Sequence, residues 1–379
     1  MKRNLLLTPG PTQVPPQLCA ALGRPIIHHR TPLFQQYLKE ATEGLQYVLQ
    51  TKNDVYLMAS SGTGAMEASV CSLLSPGDRA ITVEGGKFGE RWTELCQAYG
   101  INAEVVKVEW GKAVTADTIK GLLDKDKSIK AVFVTQSETS TGVTTDIAAL
   151  GKVVAATNAV LVVDAVSGLG VEDLQTDNWA VDVVASASHK GLMLPPGVGF
   201  VSVSKKAQAL MEKSTCPKYY FDLRKYKKAA GKTDTPFTPA IGIVIALVES
   251  LKMVKEAGLE NLLQHYKRLA VATREAAKAL GLALYADPAC ISNNLTAIRI
   301  PDGVDGGKVV KIMRDTHGIS IAGGQGDLKG KIIRIAHMGC LDEYDILAGI
   351  SCLEKTLKEL GHKFTLGAGV AAAQKSLNP

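Results

Sequence analysis

Residues 186–200 read "SASHKGLMLPPGVGF", which sets Lys190 between a run of small residues and two prolines, directly after the strand-like "VDVVAS" (181–186). A lysine in that place is either a solvated strand end or a nucleophile held above a sheet. The flanking sequence decides between them. From about residue 55 to 205, short β-branched runs alternate with helical stretches: "RAITV" (79–83), "AEVVKV" (103–108), "KAVFVT" (130–135), "AVLVVD" (159–164), "VDVVAS" and "GVGFVSV" (197–203). These runs are apolar almost throughout, as strands covered by helices on both faces are, and the longer gaps suit crossover connections. The pattern predicts an α/β fold with a mostly parallel central sheet. Only "HKGLMLPP" separates the last two runs, and an antiparallel turn is the alternative for that pair.

A chain of 379 residues is too long for one ordinary core and is expected to form a large α/β domain over 15–257 and a smaller α+β domain over 258–379, with residues 1–14 packing beside the latter. The change of pattern near 258 carries that division. Long helical stretches at 238–258 and 259–280 give way to the separated strands "LTAIRI" (295–300), "GISIAG" (318–323) and "KIIRIAHMG" (331–339), with helices near 305–316 and 342–360. The tail, "TLGAGVAAAQKSLNP" (365–379), reads as poorly ordered. Lys and Arg total 43 against 37 for Asp and Glu, a net charge of +6 spread along the chain. The densest basic run, "RKYKKAAGK" (224–232), reads as a solvated connection, so no nucleic acid partner is expected. Seven scattered cysteines without a CxxC pair fit free thiols in a cytoplasmic protein, with no metal site. No apolar run reaches the length of about 18 residues that a membrane span needs, and the start lacks a signal-peptide core.

In an open parallel sheet, ligands bind beyond the carboxyl ends of the strands. There "SSGTGAMEAS" sets Ser61, Gly62 and Thr63 before a helix, where bare amides and the helix dipole favour an anion; an ordinary N-cap is the plain alternative. Asp164 ends a strand too apolar to hold an unpaired carboxylate cheaply, unless it caps the next helix. Lys190 follows one crossover later. A phosphate cradle, a buried acid and a strand-end lysine together match what pyridoxal 5'-phosphate requires: the amine condenses with the aldehyde, the acid keeps the ring nitrogen protonated, and the helix start takes the phosphate.

These motifs, with "LTPGPTQVPP", "GGKFGERW", "SETSTGV", "VVDAVSGLG" and "KIIRIAHMG" in that order, resemble the class V, fold-type I aminotransferases, especially the alanine–glyoxylate and serine–pyruvate branch. The likeness spans nearly the whole chain. It implies that Ser61, Gly62 and Thr63 hold the phosphate, that Phe88 stacks on the ring where some relatives have tryptophan, and that the Thr139 hydroxyl neighbours the ring oxygen. It places His189 near the phosphate, where other members have glutamine. Thr235 and Thr238 match the segment that reaches across a homodimer to the partner's phosphate, although some relatives have tyrosine at the position of Thr235. Arg334, which by itself could face solvent, matches the residue that binds the substrate carboxylate, with Gly10 and Pro11 closing over that side and His28, His29 and Arg30 near the entrance.

The reaction implied is transfer of the amino group of a small L-amino acid, alanine or serine, to a 2-oxo acid such as glyoxylate or pyruvate, by ping-pong kinetics. A cysteine desulfurase shares the fold and the lysine but needs a loop cysteine ahead of the small-domain arginine, and none occurs between Ile291 and Cys340. A lyase with the same cofactor and a non-catalytic scaffold subunit of the same fold are also compatible with these motifs.

Overall fold

The structure, a computed structural model, describes residues 4–378. Residues 1–3 of the expected amino-terminal segment and residue 379 of the tail lie outside the described residues. Seven strands form the central sheet: β1 (Asp54–Met58), β2 (Arg79–Glu84), β3 (Asn102–Lys107), β4 (Ile129–Thr135), β5 (Val160–Asp164), β6 (Val183–Ala187) and β7 (Gly199–Val203). Their order is β1-β7-β6-β5-β4-β2-β3. Neighbours run parallel except at β7, which is antiparallel to both β6 and β1. No helix lies between β6 and β7 to carry the chain back across the sheet, so the turn reverses direction there.

Strand residues alternate between two apolar cores. Ile81, Val132, Val134, Leu161 and Val163 pack on one side with α1 (Pro32–Leu49), while Ala80, Ala131, Phe133, Val160 and Val162 pack on the other with α2 (Gly62–Leu73) and with Trp92 of α3 (Lys87–Ala98). Burial on both faces explains why these strands read as unbroken apolar runs.

Beyond the sheet come α4 (Leu223–Ala230), α5 (Ile241–Ala257) and α6 (Leu259–Ala279). Then follow β8 (Leu295–Arg299), α7 (Gly306–Asp315), β9 (Ala322–Gly323), β10 (Ile332–Ala336), α8 (Glu343–Glu359) and α9 (Ala368–Leu377). Strand β10 lies between β8 and β9, antiparallel to each. A third apolar cluster joins Leu269, Ile298, Ile333, Ile335 and Leu353 to Leu5 and Leu7 from the start of the chain, where Leu5–Leu6 pairs in parallel with Ile319–Ser320.

Two expectations are corrected. The basic run is mostly helix α4: Asp222 caps it by accepting from the Arg224 amide, and Leu223 and Tyr226 are buried. The tail is helix α9, because its small residues form a packing face: Gly369, Ala373 and Leu377 are buried, and the Glu354 carboxylate of α8 accepts from the amides of Gly367 (2.6 Å) and Val370 (3.0 Å). Among the described residues no helix is long and apolar enough to cross a membrane.

Candidate active site

Residues at the carboxyl ends of the adjacent parallel strands β5 and β6 meet at a cavity of about 170 Å³, lined by Ser61, Gly62, Thr63, Met66, Phe88, Arg91, Ser137, Asp164, Val166, Ser167, His189 and Lys190. Seven sequence-predicted site residues therefore share one space: Ser61, Gly62, Thr63, Phe88, Asp164, His189 and Lys190. A larger groove of about 1240 Å³, between the end of α1 and the start of α6, contains none of them.

Lys190 is only 7% exposed, and its Nζ donates to the Pro9 carbonyl. The amino-terminal segment lies over it as a strap, with the Thr12 hydroxyl donating to the Lys190 carbonyl (2.9 Å) and the Thr12 amide to the His189 carbonyl (3.3 Å). Gly10, joined to Pro11 by a cis peptide, has φ +127°, and a Cβ there would overlap the Lys190 side chain. Burial lowers the Lys190 amine to about 8; Arg334 and Arg91 push the same way and Asp164 opposes them. The amine thus loses its proton far more readily than an exposed lysine does.

Asp164, 3% exposed, accepts from the Val166 amide through Oδ1 (2.8 Å), and its other oxygen has no protein donor among the described residues. Burial raises this carboxyl to about 6, Glu138 adds to the rise, and the charges of Arg91 and Lys190 resist it. Helix α2 begins at Ser61 with no side-chain cap, so its first amides face the cavity without an internal partner. Gly62 allows α2 to approach Val166, since a Cβ would stand 2.6 Å from a valine methyl. His189 Nδ1 is buried without a partner, and burial lowers this imidazole to about 4, so it stays neutral. An uncapped helix start, an orphaned imidazole nitrogen, a half-partnered buried carboxylate and a depressed amine form a donor set that fits a phosphorylated, cationic ring bearing an aldehyde.

The "SETSTGV" turn organises the opposite wall. The Gly86 N-cap offers α3 no side chain, yet the first three amides of the helix are satisfied: Lys87 donates to Ser140 Oγ (3.1 Å), and Phe88 (2.9 Å) and Gly89 (3.0 Å) donate to Glu138 Oε2. Glu138 Oε1 accepts from the Ser140 amide and hydroxyl (3.0 and 2.6 Å). One buried carboxylate thereby fixes Phe88. Thr139 is buried and contributes its carbonyl, which accepts from Arg334 Nη1 (2.6 Å); it is Ser137 of the same turn that faces the cavity.

Arg334, on β10, is 5% exposed rather than facing solvent. Its Nε donates to the Gly323 carbonyl (2.9 Å) and Nη1 also reaches Gln325 Oε1 (3.4 Å), while Nη2 has no protein partner among the described residues. That leaves one arm of the guanidinium fork for a ligand. A buried polar network ties this region to the cavity wall: Asn294, next to β8, donates to Ser137 Oγ, and Ser292 Oγ donates to Glu172 Oε1 (2.6 Å). β8 in turn pairs Ala297 with Arg334.

Thr235 and Thr238 do not reach the cavity of their own chain. The Thr235 hydroxyl donates to the Phe237 carbonyl (2.8 Å), Thr238 is exposed, and Arg30 donates to the Thr235 carbonyl (3.1 Å) at a separate surface depression. The His28 and His29 rings lie 4.9 Å apart, tilted by 33°, and His28 Nδ1 accepts from the amide of Arg30, which lines that depression (3.2 Å). Sequence reading missed Glu138, Arg91 and the Asn294 network. Only the spacing of Phe88 and Arg91, three apart on a helix and so neighbours on one face, carried a signal.

The family model Aminotransferase class-V matches residues 6–330. A Synechococcus protein named "Soluble hydrogenase, small subunit" is 46% identical, with 99% of each chain covered. The L-aspartate–glyoxylate aminotransferase of Paracoccus denitrificans is 38% identical, over 98% of this chain and 96% of that one. The crystal structure of the ureidoglycine–glyoxylate aminotransferase from Bacillus subtilis superimposes with a TM-score of 0.96 at 28% identity, covering 100% of this chain and 99% of that one.

Proposed function

The chain belongs to the class-V aminotransferases, and from that premise we propose that it binds pyridoxal 5'-phosphate at Lys190 and moves the amino group of a small L-amino acid, alanine or serine, to a 2-oxo acid such as glyoxylate or pyruvate. One observation carries the reading: the Lys190 amine, the Asp164 carboxylate and the uncapped start of α2 line a single cavity. The cofactor, when bound, supplies an aldehyde that takes up the amino group and a ring that accepts the electron pair left by the α-proton.

The chain's own residues do the rest. The α2 amides with Ser61, Gly62 and Thr63 bind the phosphate, and His189 stands beside it as a neutral partner. Asp164 offers its free oxygen to the protonated ring nitrogen and holds that charge in place. Phe88, fixed by Glu138, presents an apolar face to the ring. Arg334 pairs its free arm with the substrate carboxylate, which orients the α-hydrogen towards Lys190; the amine, once free, takes that proton and returns it. Gly10 and Pro11 close the strap above the lysine and exclude water.

A homodimer belongs to this reading, in which Thr235 and Thr238 serve the partner's phosphate; their distance from their own cavity supports it. So do a cytoplasmic location, supported by seven free cysteines, and a division into domains near residue 258, supported by the separate apolar cluster. The acceptor named in two of the relatives is glyoxylate, which favours it here. Purified protein supplied with pyridoxal 5'-phosphate is expected to be yellow, to bleach on addition of L-alanine, and to form glycine when glyoxylate follows. Lys190→Ala should remove turnover; undiminished turnover in that variant refutes the reading.

A further inference from the structure

Arg91 lies on α3, one helical turn beyond Phe88, and the pair face the same way. Its guanidinium carbon sits 4.9 Å from the Phe88 ring centroid, and its Nη1 donates to Thr63 Oγ1 at 3.1 Å. Both neighbours line the Lys190 cavity, as Arg91 itself does. A guanidinium carries only donors, so in this contact the threonine hydroxyl must accept. Its own hydrogen is then turned away from Arg91, in the first turn of a helix whose start has no cap. An O–H donor beside unpartnered amides suits an anion.

We propose that Arg91 is a positioning residue of the anion subsite: it sets the Thr63 hydroxyl as a donor to the cofactor's phosphate and steadies the Phe88 ring. This rests on the functional reading above. Arg91 acts through two side chains that touch the ligand, and its charge also favours the ionised form of Asp164. A phenyl ring stacks over less area than an indole, and a cation held 4.9 Å from its centroid restrains its tilt.

The test uses full-length apoprotein with pyridoxamine 5'-phosphate and, in parallel, pyridoxamine. Neither has an aldehyde, so no bond to Lys190 contributes to binding. Titration calorimetry on Arg91→Met should show about a tenfold or greater weakening for the phosphorylated compound, the size of a lost hydrogen bond to a charged group, and a clearly smaller loss for pyridoxamine, which keeps only the ring contact. Thr63→Val should lose binding by a similar factor, and the double variant should be no weaker than the worse single one. Unchanged binding by Arg91→Met overturns the inference, as does equal loss for both compounds or a loss that adds in full to that of Thr63→Val. If Arg91→Met does not fold, Arg91→Leu takes its place, and wild-type affinity in Thr63→Val overturns the inference by removing the hydroxyl from the subsite. Wild-type protein that binds neither compound overturns the functional reading and this inference together, whereas wild-type binding with Arg91→Met unaltered overturns the inference alone.

Discussion

Glu138→Gln is the substitution that most directly tests how the site wall is held. The carboxylate accepts four hydrogen bonds from donors on two segments: the Phe88 and Gly89 amides at one oxygen, the Ser140 amide and hydroxyl at the other. Glutamine has almost the same shape but one oxygen and one NH2 group. Whichever way the amide turns, one pair of donors faces another donor. The less costly orientation keeps the oxygen on α3 and lets the Ser140 hydroxyl rotate to accept, which leaves the Ser140 amide buried and orphaned. Three charge-assisted bonds become ordinary ones, that of the Ser140 hydroxyl with its direction reversed, and one is lost with its donor left buried, so the loss should be about 3–5 kcal/mol. Urea unfolding of the variant reads that value. The same change loosens Phe88 and the Thr139 carbonyl that holds Arg334, so KM for the amino donor should rise at least several-fold. A variant within about 0.5 kcal/mol of wild type, below the net worth of one ordinary hydrogen bond, would refute the view that this carboxylate organises the wall.

Lys190 gives a pH signature. Its folded value of about 8 lies below the ordinary 10.5, so between those values the unfolded chain binds more protons; stability should rise as pH increases from about 8 to 10.5, and the full penalty applies below that window. Urea midpoints of the apoprotein should show this rise, and Lys190→Met should flatten it. Arg334→Lys keeps the charge but loses the fork, and steady-state kinetics should show a KM for the amino donor roughly tenfold or more higher with a smaller change in kcat. Asn294→Ala removes a donor to Ser137 Oγ, which keeps its hydrogen bond with Ser292 Oγ (3.0 Å), so about 1 kcal/mol of stability should be lost, measured by chemical denaturation. Gly10→Ala places a Cβ on the Lys190 side chain at a φ of +127°; pyridoxal 5'-phosphate uptake, followed by absorbance, should slow markedly while the sheet, followed by circular dichroism, stays intact.

Much of the fold was legible because it is written locally. Unbroken apolar runs announced strands buried on both faces, and the segments at 238–258 and 259–280 announced α5 and α6. Strand β1 was not announced: "DVYLM" is short and opens on an exposed aspartate, and only its pairing with β7 makes it a strand. Small residues misled in the tail, where they are the surface by which α9 packs, because the same composition suits a close helix contact and a loose chain end.

Pattern along the chain was enough to set residues at strand ends and helix starts: Asp164 closes β5, Lys190 follows β6 and Ser61 opens α2, since apolar periodicity and residue type suffice for those placements. What each side chain faces came from the folded arrangement alone. Glu138 reaching under α3, Arg91 bonding to Thr63, and the strap of Pro9 to Thr12 over Lys190 all join segments far apart in the chain. Hydrogen bonds and desolvation act over a few ångströms of space, whatever the separation along the backbone, so the groups that tune the amine and fix the ring's support emerge only once the sheet has brought those segments together.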